Sequence, residues 1–239
     1  KPRVVIAVPV GITAVERRAV INSAERAGAR SVYLIDEPLA AGLGIDLPVR
    51  EPHGSLIVDI GGGTTDIAVL ALGEMVVATS LRTAGDHMDE AIIAHLRRHH
   101  NLLIGEQTAE RIKLTIGSAW PMKTELSMEV KGRDSVTGLP RKTTVTSLEI
   151  REALSAPVRQ ICEAVRGVLE EAPPELSADL VDQGLTLCGG GSLLYGLSEA
   201  ISESLSIPAK VADDPLTAVA RGTGVFLENL EVFAPVLSS

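Results

Sequence analysis

Short apolar runs alternate with amphipathic stretches along the chain, and several of the runs end at glycine or acidic residues. Val4-Val5-Ile6-Ala7-Val8 has the unbroken apolar character of a strand buried on both faces. Thr13 and Glu16 have the spacing of a capping box and predict a helix that runs to Gly28, a natural residue just past a helix end. Ser31–Ile35 reads as a second short strand. Pro38, directly after Asp36-Glu37, suits the first turn of a helix continued by Leu39–Leu43. The opening therefore reads strand, helix, strand, helix.

The pattern then changes. Ser55–Ile60 is an apolar strand containing Asp59, Gly61-Gly62-Gly63 turns the chain, Thr65–Leu70 returns, and Met75–Leu81 makes a third strand after Gly73-Glu74, an antiparallel meander. Met88, Ile92, Ile93 and Leu96 have helical spacing within His87–His100. Thr108 is placed to cap a helix over Ala109–Ser118. Glu125–Val130 and Lys142–Thr146 predict a hairpin around the polar loop Lys131–Arg141. Ser147 is placed to cap a long helix to Glu171, bent at Pro157 and ended by Pro173-Pro174. Leu185–Cys188 is a strand, Gly189-Gly190-Gly191 a turn, Ser192–Leu205 a helix, Ile207–Val211 a last strand, and Pro215 opens a final helix, Leu216–Leu230.

Composition narrows the function classes. The chain has 239 residues, 22 Lys+Arg against 31 Asp+Glu, and 2 % aromatic residues. An acidic chain this poor in aromatics has neither the basic surface nor the stacking platforms of a general nucleic-acid binder. Two cysteines, Cys162 and Cys188, exclude a disulfide scaffold and a cysteine-based zinc site, and fit a reducing cytosol. No apolar run is long enough to span a bilayer, and no secretory signal opens the chain. His53, His87, His95, His99 and His100 show no metal-ligand spacing, and the last three read as solvent-facing at a helix end. A core strand only a few residues from Lys1 points to a missing upstream segment.

Three segments carry candidate chemistry at strand ends, where open α/β sheets bind ligands. In Asp59-Ile60-Gly61-Gly62-Gly63-Thr64, three glycines let backbone N–H groups converge on an anion, Asp59 could hold a hydrated Mg²⁺, and the Thr64 hydroxyl could reach a phosphate oxygen. A plain glycine hairpin is an equal alternative. Gly189-Gly190-Gly191-Ser192 suits a phosphate or nucleoside at a helix start, or is simply a tight turn. Glu110 and Lys113, three apart on one helix, read alone as an exposed ion pair. Glu37 either caps a helix or orders a water for attack on a γ-phosphate.

In combination these segments are specific. Asp59 through Thr64, then Ala109-Glu110-Arg111-Ile112-Lys113, then Gly189 through Leu194, then Asp214-Pro215, in this order and spacing, resemble the actin-like ATPases, an α/β, ribonuclease H-like fold of two lobes shared by actin, heat-shock chaperone ATPases and sugar kinases. Asp36 through Gly42, Gly85-Asp86 with Asp89 through Ile93, Leu103 through Glu106, Thr108–Lys113, Ile116 through Ala119 and Asp214 through Gly222 look most like the MreB family of bacterial actins, over nearly the whole chain.

The resemblance implies that Gly61, Gly62, Gly63 and Thr64 cradle the β- and γ-phosphates of ATP, and that Asp59 positions Mg²⁺ through water. It further implies that Glu37 orients the attacking water, that Glu110 and Lys113, with Arg111 and Ile112 between them, hold the ribose, and that Gly189, Gly190, Gly191 and Ser192 line the nucleoside and α-phosphate. Residues 1–50 and 216–239 fall in one lobe, 51–85 and 150–215 form the core of the other, and 86–149 make its smaller peripheral subdomain. No Asp-x-Gly-Thr phosphate loop precedes Lys1, so the first lobe is expected to be incomplete, with weak ATP binding by this chain alone. The implied function is a cytoskeletal, weakly ATPase filament protein in the cytoplasm at the inner face of the membrane. Hydrolysis would act as a timer there, with membrane-bound cell-shape and cell-wall synthesis proteins as partners and a membrane contact made through the absent N-terminal region. The alternatives are a nucleotide-gated chaperone or a small-molecule kinase on the same fold, or a truncated form that cannot hydrolyse ATP.

Overall fold

The computed structural model describes residues 1–233. Residues 234–239, part of the segment assigned above to the first lobe, lie outside the described residues. The chain opens with β1 (Arg3–Val8), α1 (Ala14–Arg26), β2 (Ser31–Asp36) and α2 (Glu37–Gly44). β1 and β2 pair in parallel from Arg3↔Ser31 to Val8↔Asp36. The capping box forms as expected: the Glu16 N–H donates to Thr13 Oγ1 while Glu16 Oε2 accepts from the Thr13 N–H at 2.8 Å.

β3 (Ser55–Ile60), β4 (Thr65–Ala71) and β5 (Glu74–Leu81) form the antiparallel meander. β9 (Leu185–Cys188) and β10 (Ala209–Val211) extend it in parallel on the β3 edge, so the sheet runs β10-β9-β3-β4-β5. Every residue of β3 and β4 is buried, because helices cover both faces of the sheet. Leu56, Val58, Ile60, Ile67 and Val69 face the core made with α3 (Gly85–His100), α5 (Ser147–Glu171) and α7 (Leu197–Leu205). Ile57, Ala68, Leu70 and Cys188 face the other core, with α2 and α8 (Ala218–Glu228). α2 and α8 approach so closely that a Cβ on Gly222 would lie 1.6 Å from the Ala40 carbonyl oxygen, which only glycine permits.

A third sheet, β6 (Leu102–Leu103), β7 (Ser127–Asp134) and β8 (Pro140–Thr146), packs with α3 and α4 (Glu106–Ile116) into the peripheral unit. The hairpin ladder runs further toward its tip than the apolar pattern suggested, because Lys131–Arg133 continue it opposite Lys142, Arg141 and Pro140. Several boundaries differ from the sequence expectation for local reasons. α4 starts at Glu106 after Gly105, so Thr108 lies inside the first turn instead of capping it. Thr146, not Ser147, caps α5 in a capping box with Glu149, and the Ser147 hydroxyl closes the hairpin by accepting from the Leu126 N–H at 2.7 Å. α6 (Pro174–Gln183) follows Pro173 and was not foreseen, nor was the two-residue β6. The final helix begins at Ala218 and stops at Glu228, followed by the short α9 (Leu230–Phe233). Among the described residues no helix is long and apolar enough to cross a membrane.

Candidate functional site

The two glycine-rich turns lie side by side at the carboxyl ends of β3 and β9. Gly61 N–H donates to the Thr64 carbonyl at 2.9 Å and closes the first turn. The Gly61 and Gly62 carbonyls accept from the Gly85 and Asp86 N–H groups at 3.0 and 2.9 Å, which docks this turn on the start of α3. In the second turn Gly189 has φ +77°, and a Cβ there would sit 2.3 Å from the Ile60 carbonyl oxygen and 2.5 Å from Asp59 Oδ1. A Cβ on Gly191 would sit 2.3 Å from the Ile60 side chain. The second turn can press against the end of β3 only because these positions lack side chains.

This turn does not open into the helix expected from Ser192 onward. Gly190–Leu193 is a 3₁₀ turn, and α7 begins only at Leu197, after Gly196 with φ +71°. The positive end of α7 is therefore not at Ser192. The Ser192 hydroxyl is buried and donates to the Gly189 carbonyl at 2.6 Å, so it braces the turn.

The Glu110–Lys113 ion pair does not form. Lys113 Nζ reaches α3 instead and bonds Asp89 Oδ2 and the Gly85 carbonyl, both at 2.9 Å. Both side chains are largely buried, at 13 % and 12 % exposure. Burial pushes the Asp89 carboxyl up despite the Lys113 charge. Asp89 Oδ1 is buried with no hydrogen-bond partner.

Gly61, Gly62, Glu110, Lys113, Gly190 and Gly191 all line one cavity of about 670 Å³, together with Gly85, Asp86, Asp89 and Glu106. A second cavity of about 440 Å³ adjoins it, sharing Lys113, Leu114, Gly190, Gly191 and Leu193, and is lined further by Met122, Leu126, Leu194 and Tyr195. Leu114 and Leu193, 72 % and 52 % exposed, stand at the junction of the two. The sequence reading missed Asp86, Asp89, Leu114 and Leu193. Two acids three apart at the start of α3 were a usable signal for the first two. Of the expected ribose segment, Ile112 is fully buried in the core and Arg111 is exposed outside both cavities, as the helical turn between Glu110 and Lys113 requires.

A carboxylate group stands beside the first turn. Asp59 and Asp66 are directly opposite in the β3–β4 ladder, on the sheet face toward α2. Asp66 Oδ1 accepts from the Val10 N–H at 2.8 Å, which ties the β1 turn to the central sheet. Glu37 opens α2 on this side. Burial, then the charges of Asp66 and Asp59, raise its carboxyl to about 7. Burial raises Asp59 to about 6, against a hydrogen bond from Cys188. Among the described residues, neither Glu37 nor Asp59 forms an ion pair, so the group has surplus negative charge. That surplus suits a hydrated divalent cation held through water. No three metal-binding side chains converge into a full protein cage among the described residues. Gly63 has open space around it, and Thr64 adjoins it at the head of β4.

Comparison with known proteins places this geometry. The family model described as MreB/Mbl protein matches residues 1–234. The cell shape-determining protein MreB of Escherichia coli K12 is 52 % identical over 231 residues, covering 97 % of this chain and 67 % of the relative. MreB 5 of Spiroplasma citri bound to AMPPNP superposes with a TM-score of 0.93 at 38 % identity, over 97 % of this chain and 70 % of that one. The MamK double helical filament gives a TM-score of 0.81 at 26 % identity, over 95 % and 69 %. The fold is actin-like, and the chain belongs to the MreB/Mbl family.

Proposed function

We propose that the chain is a cytoskeletal filament protein of cell-shape determination whose assembly is governed by ATP. The observation that carries the nucleotide reading is the convergence of Gly61-Gly62, Glu110 and Gly190-Gly191, remote in sequence, on one cavity. Its neighbour of about 440 Å³, lined by Met122, Leu126, Leu194 and Tyr195, would take the base. Glu110 and the free Asp89 Oδ1 accept hydrogen bonds from the ribose hydroxyls. The Gly61–Gly63 turn and the Thr64 hydroxyl would face the phosphates, and Asp59 with Asp66 would hold Mg²⁺ through water, where the ion would supply neutralisation of phosphate charge. Glu37, poised near neutrality, accepts the proton of the attacking water. In this reading β1, β2, α2 and α8 belong to one lobe, the central sheet to the other, and residues 86–149 to its peripheral subdomain.

The filament reading is supported by the MamK neighbour, which is described as a double helical filament, and the cell-shape reading by the name of the Escherichia coli relative. Placement at the inner membrane face, with membrane-bound cell-shape and cell-wall synthesis proteins as partners, rests on the family resemblance. Sedimentation with Mg-AMPPNP tests the core of the proposal. A pellet that appears with nucleotide and is lost in Glu110→Ala supports it. A pellet that forms equally well without nucleotide, or that Glu110→Ala leaves unchanged, overturns it.

A further inference from the structure

One wall of the cavity of about 440 Å³ is a segment with no regular structure of its own. Between the end of α4 at Ile116 and the start of β7 at Ser127, residues 117–126 form neither helix nor ladder, apart from a single bridge from Ser118 to Tyr195. Yet Gly117, Met122, Lys123, Thr124 and Leu126 of this segment line the cavity together with α4 and the second glycine turn. Near its start the segment is tied to the chain after that turn. The Ala119 N–H donates to the Tyr195 carbonyl at 2.7 Å, and a Cβ on Gly196 would sit 2.3 Å from Trp120 Cβ.

Arg151 fastens the same segment to α5. Its Nη1 donates to Ser118 Oγ at 3.2 Å and to the Trp120 carbonyl at 3.3 Å, and its Nη2 donates to Glu125 Oε1 at 2.7 Å. The Ser147 hydroxyl donates to Glu125 Oε2 and accepts from the Leu126 N–H at 2.7 Å. Hydrogen bonds from Arg151, then from Ser147, hold the Glu125 carboxyl below its ordinary value, so it is ionised at neutral pH. The Arg151 side chain is 16 % exposed, and Ser118 and Ser147 are buried. α5 is a firm anchor, because Ile150, Leu154, Val158 and Ile161 are buried in the same core as Val58 and Ile67 of the central sheet. The planar guanidinium fork, with its fixed set of donors, can bond these three acceptors at once. Arg151 thus pins both ends of the stretch that carries Met122, Lys123 and Thr124.

We propose that Arg151, paired with Glu125, is a positioning residue for the nucleotide: it holds residues 118–126 as a fixed wall of the base cavity and so sets the rate at which bound nucleotide leaves. Arg151 is not among the residues lining either cavity and acts through the segment it holds. The proposal rests on the nucleotide reading above and adds a control of release to it. Without Arg151, the buried Ser118 hydroxyl and the Trp120 carbonyl lose their donor, and Glu125 keeps only Ser147. The stretch between Ala119 and Glu125 is then free to swing away from the cavity. A loosened wall leaves entry unhindered and retention impaired, so the effect falls on dissociation.

Stopped-flow displacement tests it. Mg-ADP carrying an N-methylanthraniloyl label on its ribose is chased with excess unlabelled Mg-ADP, and Trp120, the single tryptophan of the chain, excites the label by energy transfer. Arg151→Met should raise the dissociation rate about tenfold and leave the association rate within about twofold of the parent. Arg151→Lys, which keeps the charge and loses the fork, should fall between the two. Glu125→Gln should also speed release, and Arg151→Met/Glu125→Gln should be no faster than Arg151→Met alone, because the two residues act as one pair. A variant that only misfolds loses sites and leaves the rate from the remaining sites unchanged, so a merely structural role would not move this readout. An unchanged dissociation rate in Arg151→Met overturns the proposal and leaves the nucleotide reading standing, and so does a double variant accelerated by the product of the two single effects. If the unaltered chain binds no Mg-ADP in calorimetry, both fall.

Discussion

Lys113 reaches from α4 to Asp89 on α3, with Nζ 2.9 Å from Oδ2, and leaves Glu110 on its own helix facing the cavity. One contact thus does two things. It neutralises a carboxylate buried beside the first glycine turn, and it frees a second carboxylate for a ligand. Lys113→Met should therefore destabilise the fold by about 3–5 kcal/mol, the usual cost of leaving one member of a buried pair uncompensated. Asp89→Asn/Lys113→Met should recover part of that loss. Urea unfolding of the three proteins decides it. A single variant as stable as the parent would show that water already solvates Asp89.

The glycines separate packing from ligand contact. Gly191→Ala places a Cβ 2.3 Å from Ile60 and should lower the melting temperature, at a cost of about 1–3 kcal/mol. Gly63→Ala meets no atom within 4 Å and should leave the melting temperature nearly unchanged. If phosphates approach this turn, Gly63→Ala should still weaken nucleotide binding. Thermal melts beside calorimetric titration with Mg-ADP give both readings. Unchanged affinity in Gly63→Ala would move the phosphates elsewhere.

Glu37 links catalysis to pH. Its folded pKa of about 7 lies above its ordinary value of 4.5, so between those values the native state binds more protons than the unfolded one. Without nucleotide or Mg²⁺, stability should fall as pH rises through this window, and Glu37→Gln should flatten the fall. The same variant should slow ATP hydrolysis by about 10²–10⁴-fold while binding ATP nearly as well. A variant with unchanged phosphate release would reduce Glu37 to a helix-start residue.

His95 reverses the sign. Burial first, then the stacked His99, lower its pKa below 6.5, and its Nε2 is buried without a partner. The unfolded chain then takes up the proton first, so stability should drop as pH falls below about 6.5. His95→Leu should flatten that acid limb. The charges facing His95 are His99, His100, Glu149 and Glu152, and His100 bonds Glu149 at 2.8 Å. An identical acid limb in His95→Leu would show that His95 does not set it. The expectation that all three histidines face solvent holds for His99 and fails for the half-buried His95 and His100.

The central strands and most helices were legible because their signals are local. Ser55–Ile60 has both its ends written as turn chemistry, and Thr13 with Glu16 spells out a helix start within four residues. The misplaced boundaries fall where a residue has two possible uses. Ser147 is a competent cap, but its hydroxyl is drawn into the hairpin by Leu126, twenty-one residues away, and Thr146 takes the cap. Ser192 looked like a helix start, but Gly196 in the left-handed region delays the helix to Leu197.

Residue order alone determined the alternation of strands and helices, the glycine turns at strand ends, and the family resemblance, since each rests on backbone preferences and spacing within a few residues. Tertiary structure decided the partners. Helical spacing offered Lys113 to Glu110, yet a buried carboxylate on another helix outcompetes an exposed one on the same helix, because charge attraction strengthens as water is excluded. Likewise, Asp59, Asp66 and Glu37 are unremarkable acids one at a time. Only the β3–β4 register and the start of α2 bring them to one buried face, where desolvation and mutual repulsion raise Asp59 and Glu37 toward neutrality.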